Sequence, residues 1–229
     1  MQKYLLLLFS ICAFAQEPAF TFAQGSDVAI YPEIREQNKK LGYDPIEDDN
    51  NDYSFRLSHY GTAITVYKRG SSCFGSVVYN VYETNEFGDK ETGKKFKMTF
   101  GLTPQEAKSV MELIEETKVD SFPTHQLIPV WSQFPAGVLY TLQHKRNSIY
   151  SLKTYTSPDA VPDSYEAVQI DNFIKKLADI LNLLDSSDKF KLQIPFKTYS
   201  NGDGSVSTHF KAGEKSRRHL VKLEKYYGG

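Results

Sequence analysis

The side chains in this sequence best equipped for covalent chemistry are Cys73 and five histidines, His59, His125, His144, His209 and His219. A cysteine attacks as a thiolate, and it becomes one when a base or a positive neighbourhood lowers its pKa. His59 or His144 would have to meet Cys73 in space, and the product would be a small envelope hydrolase or thiol enzyme. Nothing in their spacing demands that meeting, and a free cysteine beside Phe74 in a strand-like run reads instead as a small buried hydrophobe. The histidines form no His-x-His pair and no His-Glu-x-x-His motif, so no metal and no other cofactor is expected. No Gly-x-Ser-x-Gly elbow, phosphate-binding loop or dinucleotide fingerprint occurs. Asp44, Glu47, Asp48, Asp49 and Asp52 make an acidic run, but it lacks the glycine and closing glutamate of a calcium loop.

A different chemistry attaches to Tyr60, Tyr67, Tyr79, Tyr82, Tyr140, Tyr150 and Tyr155, which all fall in or beside strand-like runs. A tyrosine can pack with its ring while its hydroxyl stays wet, so a row of them on an open sheet face would bind a sugar or another protein. The plainer alternative is that these rings cover the sheet and support its helices. Tyrosines without a catalytic motif point to a noncatalytic binding or interaction domain whose partner is a protein or another component of the cell envelope.

Those side chains need a scaffold, and the hydrophobic pattern supplies one. Val138, Tyr140 and Leu142 alternate with Leu139, Thr141 and Gln143, and residues 149–156 are rich in aromatic and β-branched types, so an antiparallel hairpin is expected with His144 to Asn147 as its connection. Ala167, Ile170, Ile174, Leu177, Leu181 and Leu184 then recur at spacings of three and four, which predicts the longest helix. Upstream, residues 53–59, 62–67 and 74–82 read as strands, and Phe96, Met98 and Phe100 alternate with polar neighbours in a fourth. Thr103 and Glu106 form a capping box with Pro104 at the first helical position, ahead of the stripe Ala107, Val110, Met111 and Ile114. Phe190, Leu192, Ile194 and Phe196 alternate and predict a last strand. Strands, helix, strands, helix, strand is the order of an α+β fold, a largely antiparallel sheet with two helices packed on one face.

Residues 1–15 read as a signal peptide: Lys3 precedes the apolar run Tyr4 to Phe14, and Ala13-Phe14-Ala15 has the small-x-small form of a cleavage site. The run is too short to span a bilayer, Ile11 before Cys12 does not suit a lipid-attachment site, and no later segment suits a membrane helix. The mature chain is therefore expected in the periplasm or outside the cell. Residues 16–52 are expected as a polar, acidic and poorly ordered lead-in, 53–200 as a single domain, and 201–229 as a basic C-terminal tail. Cleavage removes Lys3 and Cys12, which takes the formal net charge from −1 to about −2 and leaves one cysteine. An intramolecular disulfide is then impossible, and a charge so near zero argues against a nucleic-acid partner.

Arg69 and the run Cys73-Phe74-Gly75-Ser76-Val77-Val78-Tyr79, with the helix over Leu102 to Thr117, resemble a family of small exported bacterial domains of unknown function. The strand of that family carries Cys-Phe-Gly-x-Cys-Pro-x-Tyr. Val77 and Val78 stand where the family has its second cysteine and its proline, so the resemblance implies a fold and no paired-cysteine chemistry.

Overall fold

In a computed structural model of the protein, which describes residues 20–88, 90–131, 137–201 and 206–208, the chain enters along an edge of a sheet. The expected signal peptide and the tail beyond Thr208 lie outside the described residues. Strand β1 (Thr21–Phe22) is followed by helix α1 (Tyr31–Leu41). Then come β2 (Tyr53–His59), β3 (Thr62–Arg69), β4 (Ser72–Thr84) and β5 (Glu91–Gly101), each antiparallel to the next. Helix α2 (Pro104–Thr117) leads through 3-10 turns to the hairpin of β6 (Leu139–Arg146) and β7 (Ile149–Thr156). Helices α3 (Tyr165–Ile180) and α4 (Leu183–Gln193) and the short strands β8 (Thr198–Ser200) and β9 (Val206–Thr208) complete the described elements.

The strands join in one sheet, in the order β1, β7, β6, β2, β3, β4, with β5 on the far edge of β4. Tyr82 pairs with Lys95 of β5 on one side and Ser200 of β8 on the other, so β8 occupies the edge of β4 that β3 leaves free. Every pairing is antiparallel except β1 with β7. This is the α+β fold expected from the pattern, a mostly antiparallel sheet with helices α2 and α3 on one face. No helix among the described residues is long and apolar enough to cross a membrane.

Because side chains alternate along a strand, each strand feeds two layers. Phe55, Leu57, Ile64, Val66, Val77, Val81 and Leu142 lie under α2, α3 and α4 in the main core. Their neighbours point the other way, where Ile34, Ile46, Tyr150 and Leu152 form a second cluster and Leu41, Tyr43, Ala63, Val78 and Tyr82 a third. Helix α2 starts as the capping box predicts: the Glu106 N–H donates to Thr103 Oγ1 at 3.2 Å and the Thr103 N–H donates to Glu106 Oε2 at 2.7 Å. Thr103→Ala removes the hydroxyl that accepts from the Glu106 N–H and keeps the backbone N–H that donates to Glu106, and thermal denaturation should show a loss of about 1 kcal/mol.

Three expectations are corrected. The segment read as a poorly ordered lead-in is ordered from Phe20 onward and includes α1. Its helix buries only Ile34, Asn38 and Leu41, at spacings of four and three, a stripe that forms a layer only because a sheet face lies beneath it. The run Phe190 to Phe196 is not a strand: α4 continues to Gln193, Phe190 and Ile194 are buried, and Leu192 between them is 85% exposed. Apolar residues four apart fit a helix as well as they fit alternation, and packing of Phe190 on Tyr79 and Phe96 decides for the helix. Finally, the expected long helix breaks after Ile180, with Asn182 in the left-handed region at φ 44°, and Leu184 is exposed.

Candidate functional site

Cys73 is a free, half-buried thiol on β4, near the β3–β4 hairpin turn. Register places it in a row with Lys68, Tyr53 and Arg146, whereas His144 stands on β6, three strands away, or about 14 Å at the usual strand spacing. His59 lies in the row of Thr62 and Tyr79, six residues along β4 from Cys73, or about 20 Å. The fold brings neither histidine to the thiol.

The tyrosines do not form a row either. Tyr79 and Tyr155 are buried beneath the helices on one face, and Tyr82 and Tyr150 are buried on the other, while Tyr60, Tyr67 and Tyr140 are half-buried. Among the described residues, helices lie on both faces of the sheet over the four buried rings, while Tyr67 stacks on the exposed Phe74. What persists at one end is a stack: the His59 ring lies 4.1 Å from Tyr60 and 4.8 Å from Tyr140.

His144 and Lys145, expected in a turn, are buried strand residues, and the hairpin turns at Asn147-Ser148. His144 stacks on Tyr53, whose hydroxyl donates to Asp120 Oδ2 at 2.9 Å, and the Lys153 ammonium donates to the Asp120 carbonyl at 2.5 Å. Burial, and then the charge of Lys153, push His144 down to about 4 against the pull of Asp120. Burial likewise pushes Lys153 down to about 8. The cluster is a polar plug in the core, closed over by the turn at Val119–Ser121.

A cleft lies elsewhere, between α1 and the segment 42–47. It measures about 680 Å³ and is lined by Tyr31, Arg35, Asn38, Tyr43, Asp44 and Glu47 among others. Gly42 ends α1 in the left-handed conformation at φ 71°, which turns the chain back alongside the helix and so forms the opposite wall. Glu47 is buried and accepts from the Tyr31 hydroxyl at 3.1 Å, with Arg35 Nε at 3.6 Å. Burial, followed by the Glu47 charge, raises the Tyr31 pKa.

Behind this cleft the sheet is polar. Arg56, 2% exposed, donates from Nε to Thr65 Oγ1 at 3.1 Å and from Nη2 to the Asp44 carbonyl at 2.7 Å, and lies 5.4 Å from the centre of the Tyr43 ring. A hydroxyl, a carbonyl and a ring hold this cation, and none of them carries a charge. Gln143, its cross-strand partner, is 0% exposed and accepts through Oε1 from Asn38 Nδ2 and from the Tyr150 hydroxyl, both at 3.2 Å. The Tyr43 hydroxyl donates to the Gly61 carbonyl and accepts from Asn80 Nδ2. Burial pushes Tyr43 up to about 12 although Asn80 and Arg56 pull the other way, so it stays a neutral donor. Arg56 Nη1 and Gln143 Nε2 are buried and make no well-formed hydrogen bond among the described residues, although the Tyr67 hydroxyl lies beside the guanidinium.

Arg56, Gln143, Asn38 and Tyr43 are absent from any motif. The one signal for them was Arg56 between Phe55 and Leu57, a charge inside a strand, which becomes meaningful only once both sheet faces are known to carry helices. Among the described residues no group of three or more His, Cys, Asp and Glu side chains is arranged to hold a metal ion. Comparison with protein-family models and with curated proteins gives no match.

Proposed function

We propose that this is an exported domain of the cell envelope that binds a small ligand in the cleft between α1 and residues 42–47. The observation that supports this is the cleft itself. Its volume suits a small molecule, its walls combine the Tyr31 and Tyr43 rings with Arg35 and Asn38, and its floor abuts a buried polar layer. Binding without catalysis fits the separation of Cys73 from both histidines, and it transfers the binding role from the row of tyrosines to the side chains of α1 and the turn after it.

Native mass spectrometry of the protein purified from its exported fraction tests the proposal, beside an Asn38→Trp variant whose indole fills the cleft. A small-molecule adduct on the parent that is lost from the variant supports a ligand there. An adduct retained by both, or found on neither, overturns it.

A further inference from the structure

We infer that the ligand of this cleft carries a carboxylate and that the acid group is received by Arg56 and Gln143. This rests on the binding reading above and adds the chemistry of what is bound. The two residues are directly opposite on β2 and β6 and point to the same side of the sheet, beneath α1. Each is buried and each keeps one nitrogen that makes no well-formed hydrogen bond among the described residues. Native interiors rarely leave such donors unpaired, and a buried guanidinium without a counter-charge is costlier still.

The orientation of the Gln143 amide follows from its partners. Its oxygen already accepts from Asn38 and Tyr150, so the nitrogen is the atom left over. What remains is one positive charge and two N–H-bearing nitrogens with no acceptor capacity, which matches an acceptor-only monoanion. A phosphate dianion would exceed the single charge of Arg56. The Tyr31 and Tyr43 rings, with Pro32 and Pro45, suit an apolar or cyclic body attached to the acid.

The wall between the cleft and these donors is one residue thick. Asn38 lines the cleft and touches Gln143, while Asp44 lines it and offers its carbonyl to Arg56. Neither donor lines the cleft itself, so a carboxylate would reach Gln143 Nε2 and Arg56 Nη1 only by displacing the Asn38 side chain, which donates to Gln143 Oε1.

The test compares phenylacetate with its neutral twin phenylacetamide at fixed ionic strength, read by thermal shift and by amide chemical shifts of the full mature chain. The expected result is that the acid raises Tm and moves the Asn38 and Gln143 side-chain amides, while the amide does neither. Arg56→Met should raise Tm in the absence of ligand, because it removes an unpaired buried charge, and should abolish the response to acid. If Arg56→Met does not fold, Gln143→Met keeps the charge, removes one donor and should weaken acid binding about tenfold. Equal responses to acid and amide, no response to either, or an undiminished acid response in the variant that folds would overturn the carboxylate assignment. An adduct that is present in the parent and lost from Asn38→Trp would still uphold the cleft as a binding site after such a failure, so the two readings can fail separately.

Discussion

Trp131→Ala is expected to destabilise the protein by about 4 kcal/mol, the largest effect of any single truncation considered. The indole is 0% exposed and belongs to the main core, with its ring centre 5.5 Å from Tyr155 and 6.0 Å from His125. Its Nε1 donates to the Thr156 carbonyl at 2.7 Å, which ties the irregular segment after α2 to the end of β7. Truncation opens a cavity the size of a bicyclic ring and leaves that carbonyl without its donor. Trp131→Phe should recover most of the packing and lose the hydrogen bond, for a cost of about 1–2 kcal/mol. Trp131 is the sole tryptophan, so urea unfolding should be followed by circular dichroism rather than by fluorescence. A loss below about 1.5 kcal/mol for the alanine variant would mean that this segment straps the surface without contributing to the core.

Acidification should weaken the fold by up to about 3 kcal/mol between pH 6.5 and pH 4 through His144 alone. In the folded protein this imidazole is held down to about 4 by burial and by Lys153, whereas in the unfolded chain it titrates at its ordinary value. Above pH 6.5 both states carry a neutral ring and the group has no effect on stability. As pH falls from 6.5 toward 4 the unfolded chain takes up a proton that the native state refuses, so unfolding is favoured. His144→Phe keeps a flat ring against Tyr53 and removes the titration. The parent-minus-variant difference in urea stability should therefore slope upward with pH across that window and level off above it. A flat difference would show that His144 is readily protonated in the folded state, and a direct NMR titration of its ring would confirm the displaced pKa. Lys153→Met should move the His144 pKa back toward its ordinary value, since it removes the second largest of the causes that lower it, after burial and ahead of Arg146.

The strands of the meander, the hairpin over residues 139–156 and the start of α2 were legible because each is encoded locally. Alternation of Phe96, Met98 and Phe100 needs no knowledge of what lies above it, and Thr103 with Glu106 closes its cap within one turn. Helix α1 was not legible for the opposite reason. Its stripe of Ile34, Asn38 and Leu41 is too sparse to mark an amphipathic helix, and it exists as a layer because Tyr150, Leu152, Ala63 and Val78 present a surface to it. The end of α3 and the whole of α4 show the same limit. Leu181, Leu184, Phe190 and Ile194 satisfy more than one period, and only contact with Tyr79 and Phe96 selects among them.

The candidate site was less legible than the fold. Sequence separated Cys73 from any obvious base, and register across four strands turned that separation into distance. Sequence also marked seven tyrosines as strand residues, but whether a strand face is open or covered is a property of the elements that land on it. Four of those rings are buried because helices lie over them on both faces. By itself, then, the sequence determined the strand content, the α+β class and the capped start of α2, all set by neighbours within a few residues. Tertiary structure alone decided that Arg56 and Gln143 stand side by side beneath α1. They are 87 positions apart in the chain, and the forces that pair them are cross-strand hydrogen bonds and burial, which leave no local trace in the residues between.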